Sequence, residues 1–174
     1  MKINKYFLGI VLIIIIIMYF MAGVLFLGNT REDNNMKVSI VQQSIEYQTF
    51  KSETEGYNLA SKYAENLQNN SLDKEAINLQ LQEAKKFLQD NIKGISRESD
   101  NFAQMFYYCG IIYGLDDIYN CGDYEFVKVG IEVRKYIIKV QNGDMDDELE
   151  ADLYDKLTKL TADDIQEVVN AIDN

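Results

Sequence analysis

Cys109 and Cys121 are the only thiols in the 174-residue chain, and three carboxylates, Asp116, Asp117 and Asp123, lie between or just beyond them with Asn120. Such a cluster could form a disulfide, a thiolate metal or redox site, or an oxygen-lined cation loop. Each of these chemistries demands a spacing. If Phe102 to Tyr119 is one helix, twelve residues separate the thiols by about 18 Å, whereas a disulfide needs Cα atoms within about 7 Å. The pair also lacks the C-x-x-C interval of redox and zinc sites. A calcium loop of the EF-hand kind needs oxygen ligands at alternate positions, glycine sixth and glutamate twelfth. Counting from Asp117 places Tyr119 and Cys121 at ligand positions and Lys128 twelfth; counting from Asp144 places Leu149 where glycine belongs. The expectation is a small core residue at Cys109, a turn residue at Cys121, and no metal or cofactor site.

The rest of the inventory narrows the chemistry further. Zero histidines remove the Ser-His-Asp and Cys-His pairs and the usual proton shuttle near neutral pH. Paired carboxylates of the kind that cleave glycosidic bonds are available by number, but no spacing singles out an acid and a base, and tryptophan for a sugar platform is absent. A cell-wall glycan hydrolase is therefore the third-ranked reading, and no catalytic residue is assigned. Tyr107, Tyr108, Tyr113, Tyr119 and Tyr124 do not share one face of a helix, so they do not form a continuous stacking platform. Core and rim packing accounts for most of them, and one or two can anchor an interface.

The elements that would position these residues are helical. Proline is absent, and the apolar residues recur at helical intervals over most of the chain. From Met36 to Phe50 they fall on two stripes, Met36, Ile40, Tyr47 and Phe50 on one side and Val38, Val41 and Ile45 on the other. A helix with neighbours on both sides would read this way. Leu59, Ala60, Tyr63, Ala64 and Leu67 mark a second helix, ending in a turn at Asn69 to Ser71. Ser71 caps the next, whose stripe is Ile77, Leu81, Ala84, Leu88 and Ile92, with Gly94 at its C-terminal end. Phe102 to Tyr119 is apolar all round, as expected of a central helix.

After a break at Asn120 to Asp123, Phe126, Val129, Val133, Ile137 and Val140 make another helical face. Residues 126–134 also alternate like a strand, but the alternation fails at Tyr136 to Ile138, which favours helix. Leu149, Leu153, Leu157 and Leu160 mark a further helix, and Thr161 with Asp164 resembles a capping box opening the last, which carries Ile165, Val168, Val169 and Ile172. The expected fold is all-α, a bundle of helical hairpins with six or seven helices. Gly110-x-x-Tyr113 followed by Gly122-Asp123-Tyr124 resembles the hairpin of a tetratricopeptide repeat over one unit. Val127 and Arg134 stand where that family favours alanine, and no proline closes the unit. The resemblance implies a helix-turn-helix hairpin.

One segment sets the location. Tyr6 to Leu27 carries no charge and is long enough to cross a hydrocarbon core of about 30 Å as a helix. The apolar run exceeds that of a cleaved signal peptide, and no small-x-small exit follows it. Residues 1–5 then form a cytoplasmic N-terminus with Lys2 and Lys5, 6–27 a transmembrane signal anchor, 28–35 a juxtamembrane linker, and 36–174 an acidic helical domain outside the cytoplasm. Setting Lys2 and Lys5 aside leaves fifteen basic against twenty-eight acidic residues, a net charge of -13. Such a domain repels nucleic acid, which is excluded as a partner. The expected function is protein-protein interaction at the outer face of the membrane, as an accessory subunit of an envelope complex. A self-associating membrane scaffold is the alternative. Asp116, Asp117, Tyr119, Asp123 and Tyr124, at the exposed end of the central hairpin, are the expected partner-binding residues.

Overall fold

A computed structural model describes residues 41–69 and 74–173. The expected span at 6–27, the linker at 28–35, Met36, Val38 and Ile40 of the first helix and the Ser71 cap lie outside the described residues. Every regular element described is helical. The chain contains α1 over residues 41–60, α2 at Tyr63–Gln68, α3 at Lys74–Asn91 and α4 at Phe102–Tyr119. It continues with α5 at Glu125–Gln141, α6 at Asp147–Lys159 and α7 at Ala162–Ile172, with a single 3-10 turn at Cys121–Asp123 between α4 and α5. The segment at 126–134 is helix and not strand. No helix of the described residues is long and apolar enough to cross a membrane.

The compact body is Ile45–Asn174, and α4 is its centre. Phe102, Met105, Phe106, Cys109, Ile111, Ile112 and Leu115 are all buried, which is why its apolar residues occupy every side of the helix. It packs along α5 as an antiparallel hairpin and also meets α3 and α7. The hairpin turn uses Asn120, the one non-glycine residue in the left-handed region among the described residues, at φ 53° and ψ 39°. Asparagine tolerates this conformation better than most residues with a Cβ.

The remaining ends are closed by local chemistry. At the C-terminus of α5, the amide of Gly143 donates to the Val140 carbonyl and that of Asp144 to the Lys139 carbonyl, with Gly143 at φ 83°. This double closure satisfies carbonyls that the helix leaves open. Asp146 accepts from the Leu149 amide to start α6, and Thr161 and Asp164 form the reciprocal capping box expected for α7. The Thr161 hydrogen bonds hold the Asp164 carboxyl below its ordinary range. Glu150 ties two elements together, accepting from the buried Tyr136 hydroxyl at 2.9 Å and from the Gly94 amide at 3.0 Å.

The first helix differs from expectation in its boundaries. The face from Leu59 to Leu67 predicts a helix separate from Met36 to Phe50; instead α1 runs unbroken through residue 60, and the break falls at Ser61–Lys62. Tyr119 supports that break from α4. Its hydroxyl donates to the Ala60 carbonyl at 2.9 Å and accepts from the Ala64 amide at 3.2 Å, satisfying backbone groups on both sides.

Glycines let α1 approach α4 at backbone distance. A Cβ on Gly56 would overlap the Tyr107 carbonyl oxygen, and one on Gly110 would overlap the Glu53 carbonyl oxygen. A Cβ on Gly114 would lie 2.7 Å from that of Ala60. Because the obstruction at Gly110 is backbone, no rotamer change relieves it. Gly110→Ala should therefore destabilise the fold by about 3 kcal/mol or more, at or beyond the top of the ordinary overpacking range. Gly94, at φ 65° with open space around its Cα, should lose only about 1–2 kcal/mol on change to alanine, the cost of the left-handed backbone alone. Urea unfolding of the two variants would reveal this order, and equal losses would show that α1 does not rest on Gly110.

Candidate functional site

Helix α1 has two faces that meet different surroundings. Ile45, Thr49, Gly56 and Ala60 lie toward the body, where Thr49 is 2% exposed. The Thr49 hydroxyl donates to the Glu46 carbonyl and accepts from Gln141 Nε2 at 2.9 Å. On the other face Tyr47 and Phe50 are each 68% exposed. For two large rings in adjacent turns of one helix this is the most conspicuous apolar exposure in the body, and aromatic side chains of this kind supply much of the energy of protein interfaces.

Below Phe50 the aromatic face continues into a cleft of about 180 Å³ lined by Phe50, Glu53, Thr54, Tyr57, Tyr113 and Arg134. Three helices meet there. Arg134, from α5, forms an ion pair with Glu53 of α1 and holds its guanidinium 4.7 Å from the ring centre of Tyr113 on α4. Stacking and pairing together fix the otherwise flexible arginine. The Tyr57 and Tyr113 rings lie 5.9 Å apart, and the Tyr57 hydroxyl donates to Asp117 at 2.7 Å. That hydrogen bond holds the Tyr57 phenol above its ordinary value. The result is a small, half-open, aromatic-walled depression with one fixed cation at its floor.

The five residues expected at the hairpin end are arranged differently from one another. Asp117 is exposed and receives Tyr57, so it belongs to the margin of the cleft. Tyr119 turns inward to bridge Ala60 and Ala64. Asp116 lies beside Gly122, where an added Cβ would overlap its carboxylate. Tyr124 is partly buried against the core, and Asp123 is exposed in the 3-10 turn. The structure brings Asp117 together with the aromatic face and leaves Asp123 and Tyr124 apart from it. Sequence reasoning missed Tyr57 and Arg134, and took Tyr113 only as one of five tyrosines of which one or two can anchor an interface. A visible signal was the continuation of the Tyr47 and Phe50 stripe to Thr54 and Tyr57 at intervals of four and three.

Two carboxyls are displaced, Glu98 by its hydrogen bond from Arg97 and Asp164 by Thr161, and both move downward, toward the ionised form. Neither lines the cleft. No group of three or more Cys, Asp or Glu side chains suited to a metal ion occurs among the described residues. A longer groove between α3 and α7, with Leu79 exposed at its centre, is walled mainly by Lys, Glu, Asn and Gln.

Comparison with protein-family models, with characterised proteins and with solved structures gives no match. The tetratricopeptide-like spacing falls on the α4–α5 hairpin, where Gly110 serves the approach of α1.

Cys109 and Cys121 are free thiols, both buried. Burial, with the Glu53 carboxylate adding to it, pushes the Cys109 thiol up well beyond its ordinary value. Burial and Asp116 push Cys121 up from 9.0 to about 11. Both should resist a soluble maleimide in the folded protein at neutral pH and react on unfolding without reductant, as followed by mass spectrometry. A raised folded-state thiol favours the native form only while it stays protonated. Stability should therefore fall as pH rises from about 9 toward about 11, and Cys121→Ser should flatten part of that fall.

Proposed function

We propose that the chain is a single-pass membrane protein whose acidic helical domain binds protein at the outer face of the membrane, through the aromatic face of α1. The exposure of Tyr47 and Phe50 beside the Tyr57, Tyr113 and Arg134 cleft carries this reading. Two large rings left in water lose the free energy that a covering partner would return, about 1.5–3 kcal/mol for each fully buried aromatic. The cleft adds orientation. Arg134 is already fixed by Glu53 and Tyr113, so a backbone carbonyl or a carboxylate reaching it would meet a preorganised donor.

The uncharged run from Tyr6 to Leu27 supports the anchor, and Lys2 and Lys5 support a cytoplasmic N-terminus. On this reading the anchor is followed by the helical-hairpin bundle, which the membrane holds near other envelope proteins. The negative charge of the domain keeps it off anionic lipid and leaves the aromatic face as its principal attractive surface.

A photo-reactive benzoylphenylalanine in place of Phe50 in the full-length chain should give a covalent protein adduct in intact cells. The same probe in place of Lys86, exposed on α3, should not. No adduct from Phe50 would sink the docking reading. Lys86→Cys should label in whole cells with a membrane-impermeant maleimide, since the native thiols are buried; labelling only after lysis would reverse the topology.

A further inference from the structure

We infer that the protein which covers the aromatic face of α1 is a second copy of this chain, paired in parallel along that helix. The inference rests on the docking reading above. Tyr47, Phe50, Thr54 and Tyr57 follow one another at intervals of three, four and three, the seven-residue spacing that keeps one seam of a helix facing a partner helix. In the sequence the same spacing extends back through Gln43 and Ile40 to Met36.

The two faces of α1 distinguish this seam from the helix's own packing. Ile45, Thr49, Gly56 and Ala60 are occupied by the body, so that side of the helix has its neighbour from Ile45 onward, whereas Val41 before it is 58% exposed. The seam through Tyr47 and Phe50 does not, as the 68% exposure of both rings shows. Thr54 directs its hydroxyl back to the Phe50 carbonyl at 2.8 Å, which satisfies its polar atom without a partner. Tyr57 closes the seam at its far end through Asp117.

Charge complementarity selects a parallel second copy. Glu46 and Lys51 flank the seam on opposite sides and lie five residues apart, the interval at which opposite charges meet across two parallel helices. In a symmetric pair that contact occurs twice, Glu46 of each copy facing Lys51 of the other. Lys51 at present makes only an exposed contact of 3.9 Å with Glu55, weak enough to exchange. An antiparallel pair would lose this correspondence.

Area decides where the pairing occurs. A stable interface in solution buries roughly 800 Å² on each partner. Two rings with their flanking side chains, each ring offering about 150–250 Å², supply only part of that. Anchoring both copies in one bilayer, with their helices entering from the same side, makes the encounter effectively intramolecular and lets a modest seam suffice.

The test uses the full-length chain in liposomes. Phe50→Cys should form a disulfide-linked dimer under mild oxidation with copper phenanthroline, whereas Lys86→Cys should stay monomeric; the buried native thiols contribute no background. Glu46→Lys should weaken the dimer about fivefold, and Glu46→Lys with Lys51→Glu should restore it. Circular dichroism checks that each variant retains its helices. Cross-linking of Phe50→Cys no greater than that of Lys86→Cys overturns the pairing. If the Phe50 photo-probe then still marks a protein of another mass in cells, docking stands with a different partner; if it marks nothing, both readings fall.

Discussion

The contact of α1 with α4 through bare backbone governs much of what this domain presents to its surroundings. Gly56 meets the Tyr107 carbonyl and Gly110 meets the Glu53 carbonyl, with Ala60 against Gly114 a turn further on. A helix seated this closely needs small residues on its inner face. Its large side chains are thereby relegated to the flank and the outer face, where Tyr57 reaches Asp117 and Glu53 reaches Arg134. The exposed rings and the small cleft are thus geometric consequences of a tight seat. The same closeness explains how one helix can be held by few apolar contacts: Thr49 with Gln141, Glu53 with Arg134 and Tyr57 with Asp117 fasten it at successive turns.

Polar groups in this structure work chiefly as fasteners. Glu150 collects the Tyr136 hydroxyl and the Gly94 amide, Tyr119 spans the break between α1 and α2, and Asp164 and Thr161 close the start of α7. No buried side-chain nitrogen or oxygen among the described residues lacks a partner. A fully satisfied interior specifies one packing, because any alternative would orphan groups that cost about 1–3 kcal/mol each.

Local pattern was readable where a single helix decides it. The stripe from Ile77 to Ile92, the capping box at Thr161 and the all-round apolar character of Phe102 to Tyr119 each depend on residues a few positions apart, and each appears as expected. Residues 126–134 were ambiguous over nine positions and became helix because the longer stripe to Val140 prevails. The break at Ser61–Lys62 was not legible. Neither residue is a breaker by type, and the hydroxyl that supports it comes from Tyr119, some sixty residues away. The cleft was illegible for the same reason, since Glu53 and Arg134 are eighty-one positions apart and no local pattern predicts their meeting. The two stripes of the first helix were visible, yet which side of it the body would cover depended on Gly56 matching Gly110.

The concealed thiols set up a race. Cys109 and Cys121 are sealed by the folded core and held protonated, so an oxidant finds neither once folding is complete. Before folding, both lie open on a flexible chain with eleven residues between them, a loop short enough to close. Whichever comes first, collapse of α4 into the core or oxidation of the pair, is then preserved: a bridge formed early would bar α4 from becoming one straight helix. The native packing therefore needs both thiols reduced until α4 has packed, and the free-thiol count of a purified sample reports how much of it folded that way.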